Sequence, residues 1–141
     1  MIERGMWLMV SPKDAPQAYQ QMQVLGSDPR RLVVLLCQAL VTYLRRTESA
    51  IRARDYRTKG AALCQAQAIF SELICSLDTG IGGDLAERLR ALYAHLQRQL
   101  VDVDLQDDLD RLAYVTEIAE KLGDAWEEAL RRCQQEESEA A

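Results

Sequence analysis

The sequence predicts an all-α protein, an antiparallel up-down four-helix bundle with a partly ordered N-terminal arm or short extra helix. Three observations predict this class. Apolar residues recur at steps of three and four along most of the chain, no segment shows the two-residue alternation of a strand, and only 3 prolines and 7 glycines interrupt 141 residues. Four amphipathic helices joined by short connections bury their apolar sides most simply in a bundle.

The chain length fits one domain, with a boundary near each end. Residues 1–26 are predicted to be an arm, because Pro12 and Pro16 interrupt any early helix and leave a short helical candidate at 17–25. Residues 27–133 form the bundle domain in this interpretation. Residues 134–141 are expected to be a frayed acidic tail.

The first two long helices have recognisable ends. Ser27 or Asp28 can accept hydrogen bonds from unpaired backbone N–H groups, and Pro29 suits a first helical turn, so a helix is predicted from there to about residue 55. The second helix is predicted over residues 58–77. Three glycines among residues 80–83 are expected to supply positive φ angles at the chain reversal that follows.

The third and fourth helices complete the pattern. The third is predicted over residues 84–102, and the fourth from an acidic cluster at 102–108 to about Cys133, since carboxylates stabilise the positive end of a helix dipole. We expect Trp126 to be a core residue. It belongs to a seam with alternating three- and four-residue spacing, formed by Leu112, Val115, Ala119, Leu122 and Trp126.

Charge and hydropathy exclude several functional classes. A net charge of −5 argues against nucleic-acid binding, and no apolar stretch reaches the roughly 18 to 20 residues that membrane insertion requires. The apolar run at residues 6–10 is too short for a signal-peptide core. The four cysteines lack metal-ligand spacing and three of them fall in apolar stripes, so we interpret them as reduced, mostly buried thiols and predict a cytoplasmic protein.

The sequence shows no pattern that indicates catalysis, a cofactor or a metal. His95 has Leu92 where a di-iron bundle needs glutamate, and it is interpreted as a partly exposed residue without a role. The aspartates at 102, 104, 107, 108 and 110 lack the spacing of a calcium loop, so capping and solvation explain them better. We therefore expect a protein that is not an enzyme.

A series of short motifs resembles the FliS family of flagellin export chaperones over residues 18–130. Each motif is weak alone, and their order is informative. They are AYQQMQ at 18–23, SDP at 27–29, SLD at 76–78, GGDLA at 82–86, LRALY at 89–93, Leu100, Asp108, Val115 and the pair Ala125-Trp126. The chain departs from the family at residues 36–40, which read LCQAL where LYEGA is usual, and at Asp104, where asparagine is expected.

The resemblance implies a cytosolic chaperone that binds the disordered C-terminal region of flagellin. Such a chaperone prevents premature polymerisation and aids delivery to the flagellar type III export apparatus, whose components are further possible partners. In the family an N-terminal segment covers part of the substrate surface, and this role carries to Tyr19, Gln21 and Gln23. The alternative for Tyr19 is a staple that closes one end of the bundle.

The groove itself has five candidate residues: Leu32, Leu36, Leu92, Tyr93 and Leu96. Core packing is the alternative for each of them. A flagellin chaperone is expected to be a monomer or weak homodimer. Two other functions stay open: a chaperone-like adaptor for another flagellar export or regulatory protein, and a structural bundle that self-associates through the seam of its fourth helix.

Overall fold

Four long helices account for nearly all of the described chain, as the predicted class requires. The computed structural model of the protein describes Trp7, Asp28 and residues 30–141. The helices are α1 (Arg30–Ala53), α2 (Tyr56–Cys75), α3 (Thr79–Gln106) and α4 (Leu109–Ala140). The prediction of an all-α helical bundle is confirmed.

An aspartate precedes each helix and caps it. The Asp28 carboxylate accepts a hydrogen bond from the Arg30 backbone N–H at 3.0 Å, so the predicted start of the first helix is correct. The corresponding carboxylates of Asp55, Asp78 and Asp108 accept backbone N–H groups at the starts of α2, α3 and α4. These bonds satisfy donors that the helix itself leaves unpaired.

The turn between α2 and α3 begins before the glycines at which it was predicted. The reversal occupies residues 76–78, where Asp78 caps α3 through the N–H groups of Gly80 and Ile81 at 3.0 and 3.2 Å. Within residues 80–83 a single glycine, Gly83, has a positive φ, of 56°, and it kinks the first turn of α3. The expectation of a positive φ is confirmed at Gly83 alone, and the reversal begins earlier than predicted, because Asp78 caps a first helical turn ahead of the kink at Gly83.

Side-chain contacts show that neighbouring helices run antiparallel. Each helix packs against two others, in the cyclic order α1, α2, α3, α4. Arg30, at the start of α1, pairs with Glu137 near the end of α4 at 2.9 Å, and Arg45, further along α1, pairs with the earlier Glu120. Gln67 of α2 likewise reaches the Gln97 carbonyl of α3 at 2.9 Å. This is the predicted up-down arrangement.

The fourth helix is longer than predicted. It continues past Cys133 to Ala140, through the residues expected to fray. Arg30 explains part of this difference, because it holds Asp28 and Glu137 together where α1 begins. A contact between residues so far apart in sequence leaves no periodic signal, so helical pattern alone underestimates the helix.

Two of the four cysteines belong to the core, one fewer than expected. Cys37 and Cys133 are buried, whereas Cys64 and Cys75 are exposed. Burial raises the pKa of the Cys37 thiol to about 12, so this thiol stays protonated. Cys37 lies where α1 and α4 approach closely, since a β-carbon added to Gly123 would be 3.3 Å from the Cys37 Cβ.

Candidate binding surface

The sequence-predicted site residues fall into three groups in the structure. Tyr19, Gln21 and Gln23 lie outside the described residues. Leu32, Tyr93 and Leu96 are buried, and Tyr93 and Leu96 have exposed fractions of 1% and 0%. Leu36 and Leu92 are half-buried against the same core cluster. Since α1 and α3 are not neighbours in the cyclic order, these leucines do not line one common groove.

Four aromatic residues form a row through the core, which we call the aromatic row: Trp7, Trp126, Tyr93 and Phe70. The rings of Trp7 and Trp126 are 4.8 Å apart between centroids, and those of Tyr93 and Phe70 are 6.3 Å apart. The Trp126 indole N–H donates to the Tyr93 hydroxyl at 3.1 Å, so the polar atom of this buried ring is satisfied. The prediction that Trp126 is a core residue is confirmed.

Trp7 is the one residue of this row that comes from the segment predicted to be an arm. Its side chain is 7% exposed, and its indole N–H is buried without a hydrogen-bond acceptor in the described part of the chain. An unsatisfied buried donor costs about 1 to 3 kcal/mol, which offsets part of the gain from burying the ring. Sequence reasoning missed this residue, because one tryptophan in an apolar run has no periodicity that reveals what it covers.

One cleft of the described residues has exposed apolar side chains at its edge. It lies between α2 and α3, and we call it the α2–α3 groove. It has a volume of about 350 Å³. Val101 and Leu105 project beside it with exposed fractions of 51% and 76%. The facing side of α2 contributes the small residues Gly60 and Cys64, which leave room for an incoming side chain.

Polar groups mark both ends of the α2–α3 groove. At one end Gln67 and Gln97 each donate to the other's backbone carbonyl, at 2.9 and 3.3 Å. The Gln67 Oε1 atom is buried and accepts no hydrogen bond from the described residues. At the other end the Lys59 ammonium donates to Asp107 at 2.7 Å and to the Asp104 carbonyl at 3.1 Å.

The aspartate cluster at the start of α4 acts in capping and ion pairing. Asp108 accepts the Arg111 backbone N–H at 3.0 Å, and this bond lowers the pKa of the Asp108 carboxyl. Asp107 raises the pKa of Lys59 through their hydrogen bond. Within the described residues no group of three or more histidine, cysteine, aspartate or glutamate side chains could hold a metal ion. His95 is half-buried, with its Nε2 3.2 Å from the Tyr114 hydroxyl.

The seam predicted on the fourth helix is used inside the bundle. Leu112, Val115, Ala119 and Trp126 are buried, and Leu122 is partly buried against the same cluster. Little of this seam is therefore exposed for contact with a second copy of the chain. None of the described helices combines the length and apolar character needed to cross a membrane.

Comparison with known proteins agrees with this architecture. The profile of the family described as flagellar protein FliS matches residues 12–133. The flagellar secretion chaperone FliS of Campylobacter jejuni is 32% identical over 114 residues, which cover 81% of this chain and 89% of that protein. The Bacillus subtilis FliS is 31% identical over 81% of this chain and 84% of its own, and the Pseudomonas aeruginosa FliSB is 28% identical over 86% and 97%. The chain belongs to the FliS family of flagellar secretion chaperones.

Proposed function

We propose that this protein binds the disordered C-terminal region of flagellin in the cytoplasm. Bound there, the segment is kept from premature polymerisation and is delivered to the flagellar type III export apparatus. Family membership supports a non-enzymatic flagellar export chaperone. The flagellin specificity rests on the family resemblance together with the surface described above.

The observation that carries the proposal is the α2–α3 groove. A chaperone for a disordered substrate needs apolar surface that its own fold leaves uncovered, and Val101 and Leu105 provide it at the edge of a cleft. An amphipathic segment that folds on binding can place its apolar face there.

The residues predicted from sequence take different parts in this proposal. Leu36 and Leu92 are half-buried, so a substrate can reach them without opening the bundle. Leu32, Tyr93 and Leu96 act from the core, by holding the helices that shape the surface. Tyr19, Gln21 and Gln23 belong to the arm that covers part of the substrate surface in this family.

Calorimetric titration with a synthetic peptide of the C-terminal region of flagellin from the same bacterium tests the proposal. We expect a one-to-one complex of about micromolar affinity or tighter, a negative heat-capacity change and a gain in helicity. A scrambled peptide of the same composition is the control. If the folded protein binds neither peptide, the flagellin proposal is rejected, and an adaptor for another flagellar protein becomes the better account.

A further inference from the structure

A second cleft lies on the other side of α2, between α1 and the first turns of α2. This α1–α2 groove has a volume of about 440 Å³ and is lined by Tyr43, Arg46, Arg57, Thr58, Ala61 and Gln65 among others. No residue lines both this groove and the α2–α3 groove. The two clefts can therefore be occupied at the same time.

The α1–α2 groove lies in a basic part of an acidic protein. Its described lining residues include two cations, Arg46 and Arg57, and no carboxylate, in a chain of net charge −5. Such a local reversal of sign favours an anionic partner at this position.

Two neighbouring arginines of α1 are paired with carboxylates, whereas the arginines that line the α1–α2 groove are not, within the described part of the chain. Arg45 pairs with Glu120, and Arg52 pairs with Glu48 at 3.3 Å. Arg46 and Arg57 are exposed, and within residues 30–141 neither has a carboxylate within 4.0 Å. The nearby Asp55 carboxylate accepts hydrogen bonds from the Thr58 backbone N–H and hydroxyl, at 3.1 and 2.6 Å, and it attracts Arg57 only through a longer-range charge interaction.

One of these two cations is held in position over an apolar surface. The Arg46 guanidinium lies 5.2 Å from the centroid of the Tyr43 ring, a cation–π contact that restricts its motion. Beside it Ala62 is buried in the wall of the groove. A ligand with carboxylates next to small apolar groups matches this combination, since guanidinium groups pair with carboxylates through two parallel hydrogen bonds.

A protein segment fits this site better than a nucleic acid or a membrane. Nucleic-acid binders present a basic stripe in a chain of positive charge, whereas here two unpaired guanidinium groups lie in a confined cleft of a negative chain. Stable membrane association adds inserted apolar side chains to basic ones, and the aromatic ring of this groove is half-buried beneath Arg46. A short acidic segment satisfies both the charge and the shape.

We propose that the α1–α2 groove is a second docking site, which binds an acidic segment of a partner protein through Arg46 and Arg57. This site is separate from the α2–α3 groove proposed for the export substrate. A chaperone with both sites can hold its cargo on one side of α2 and a second protein on the other.

Nuclear magnetic resonance titration of the ¹⁵N-labelled full chain tests the second site. The probe is a short synthetic peptide of alternating glutamate and leucine, and the control peptide has glutamine in place of glutamate. We expect saturable shifts at Tyr43, Arg46, Arg57 and Thr58 with the glutamate peptide, and an affinity that falls as salt is raised. Equal binding of the glutamine peptide, or shifts scattered over the surface, would overturn the proposal.

Charge-reversal variants distinguish this site from general electrostatics. The double variant Arg46→Glu with Arg57→Glu should bind the glutamate peptide at least about tenfold more weakly. Arg88→Glu with Arg98→Glu makes the same change in net charge at exposed positions of α3 and should leave most of the binding intact. Equal weakening by both pairs contradicts the proposal. Tighter binding of a single-stranded RNA oligonucleotide or a phosphatidylserine vesicle at the α1–α2 groove contradicts the choice of a protein partner.

The same variants separate this inference from the proposed function. Binding of the flagellin peptide should be unchanged in Arg46→Glu with Arg57→Glu, because the α2–α3 groove is untouched. Unfolding in urea verifies that both double variants are folded, as their exposed positions lead us to expect. A chain that binds flagellin normally but shows no site for the acidic peptide would reject the second site alone.

Discussion

The aromatic row and the α2–α3 groove use opposite sides of the same helix. On its inner side α3 places Tyr93 and Leu96, which are buried in the row and the surrounding core. On its outer side the same helix places Val101 and Leu105, which remain exposed beside the groove. Stability therefore depends on one face of α3 and recognition on the other, so substitutions on the two faces should have separable effects.

Replacing Trp126 tests the stability side of this comparison most severely. Trp126→Ala should lower the free energy of unfolding by about 3 to 5 kcal/mol, because it leaves a cavity in the aromatic row and removes the donor to the Tyr93 hydroxyl. Urea unfolding followed by circular dichroism measures the loss. Trp126→Phe keeps an aromatic ring and should lose less. A loss below about 1 kcal/mol for the alanine variant would mean that the row is not a structural centre.

A matched pair of leucines compares the two faces directly. Leu96→Ala should destabilise the protein by about 2 to 5 kcal/mol, since its side chain is fully buried. Leu105→Ala should change the free energy of unfolding by less than about 0.5 kcal/mol. Both values come from the same urea measurement. Equal destabilisation by the two substitutions would show that Leu105 is packed and not available to a partner.

Two glycines extend the comparison to the backbone. Gly83→Ala should destabilise the protein by about 1 to 3 kcal/mol, because Gly83 has a φ of 56° and a ψ of −133°, a combination that is essentially restricted to glycine. Gly60, in the wall of the α2–α3 groove, is helical, and a β-carbon there would meet nothing within 4 Å. Gly60→Ala should therefore stabilise α2 by up to about 1 kcal/mol. Thermal unfolding of both variants checks the opposite signs.

Acid should remove the contribution that the Asp108 cap makes to the free energy of unfolding. The Arg111 backbone N–H lowers the pKa of the Asp108 carboxyl in the folded state. A carboxyl whose pKa is lower in the folded state than in the unfolded state stabilises the fold at pH values above its unfolded pKa of about 3.9. This contribution is lost as the pH falls through the folded-state pKa. Asp108→Asn keeps a capping side chain but does not titrate.

The urea midpoints of the two chains at several pH values measure this contribution. Between about pH 5 and about pH 2 the wild-type chain should lose more stability than the Asp108→Asn variant. Parallel losses in the two chains would show that the Asp108 cap contributes nothing to the acid sensitivity.

Local chemistry in the sequence predicts much of the fold and less of the binding surface. The cap at Asp28 and the core position of Trp126 follow from residue type and helical spacing, and both are correct. The continuation of α4 to Ala140 is explained in part by a contact between Arg30 and Glu137, which no local pattern encodes. Leu105 could not be singled out, because an exposed leucine and a buried one look alike until the neighbouring helix is placed.

The most direct test of the central claim is the affinity of the flagellin C-terminal peptide for a chain with Val101→Ala and Leu105→Ala. Both side chains lie at the exposed edge of the α2–α3 groove, so we expect binding at least about tenfold weaker with an unchanged urea midpoint. Leu85→Ala, an exposed position near the other end of α3, is the matched control and should bind as the wild type does. Wild-type affinity in the double variant would contradict the assignment of the α2–α3 groove as the substrate-binding surface.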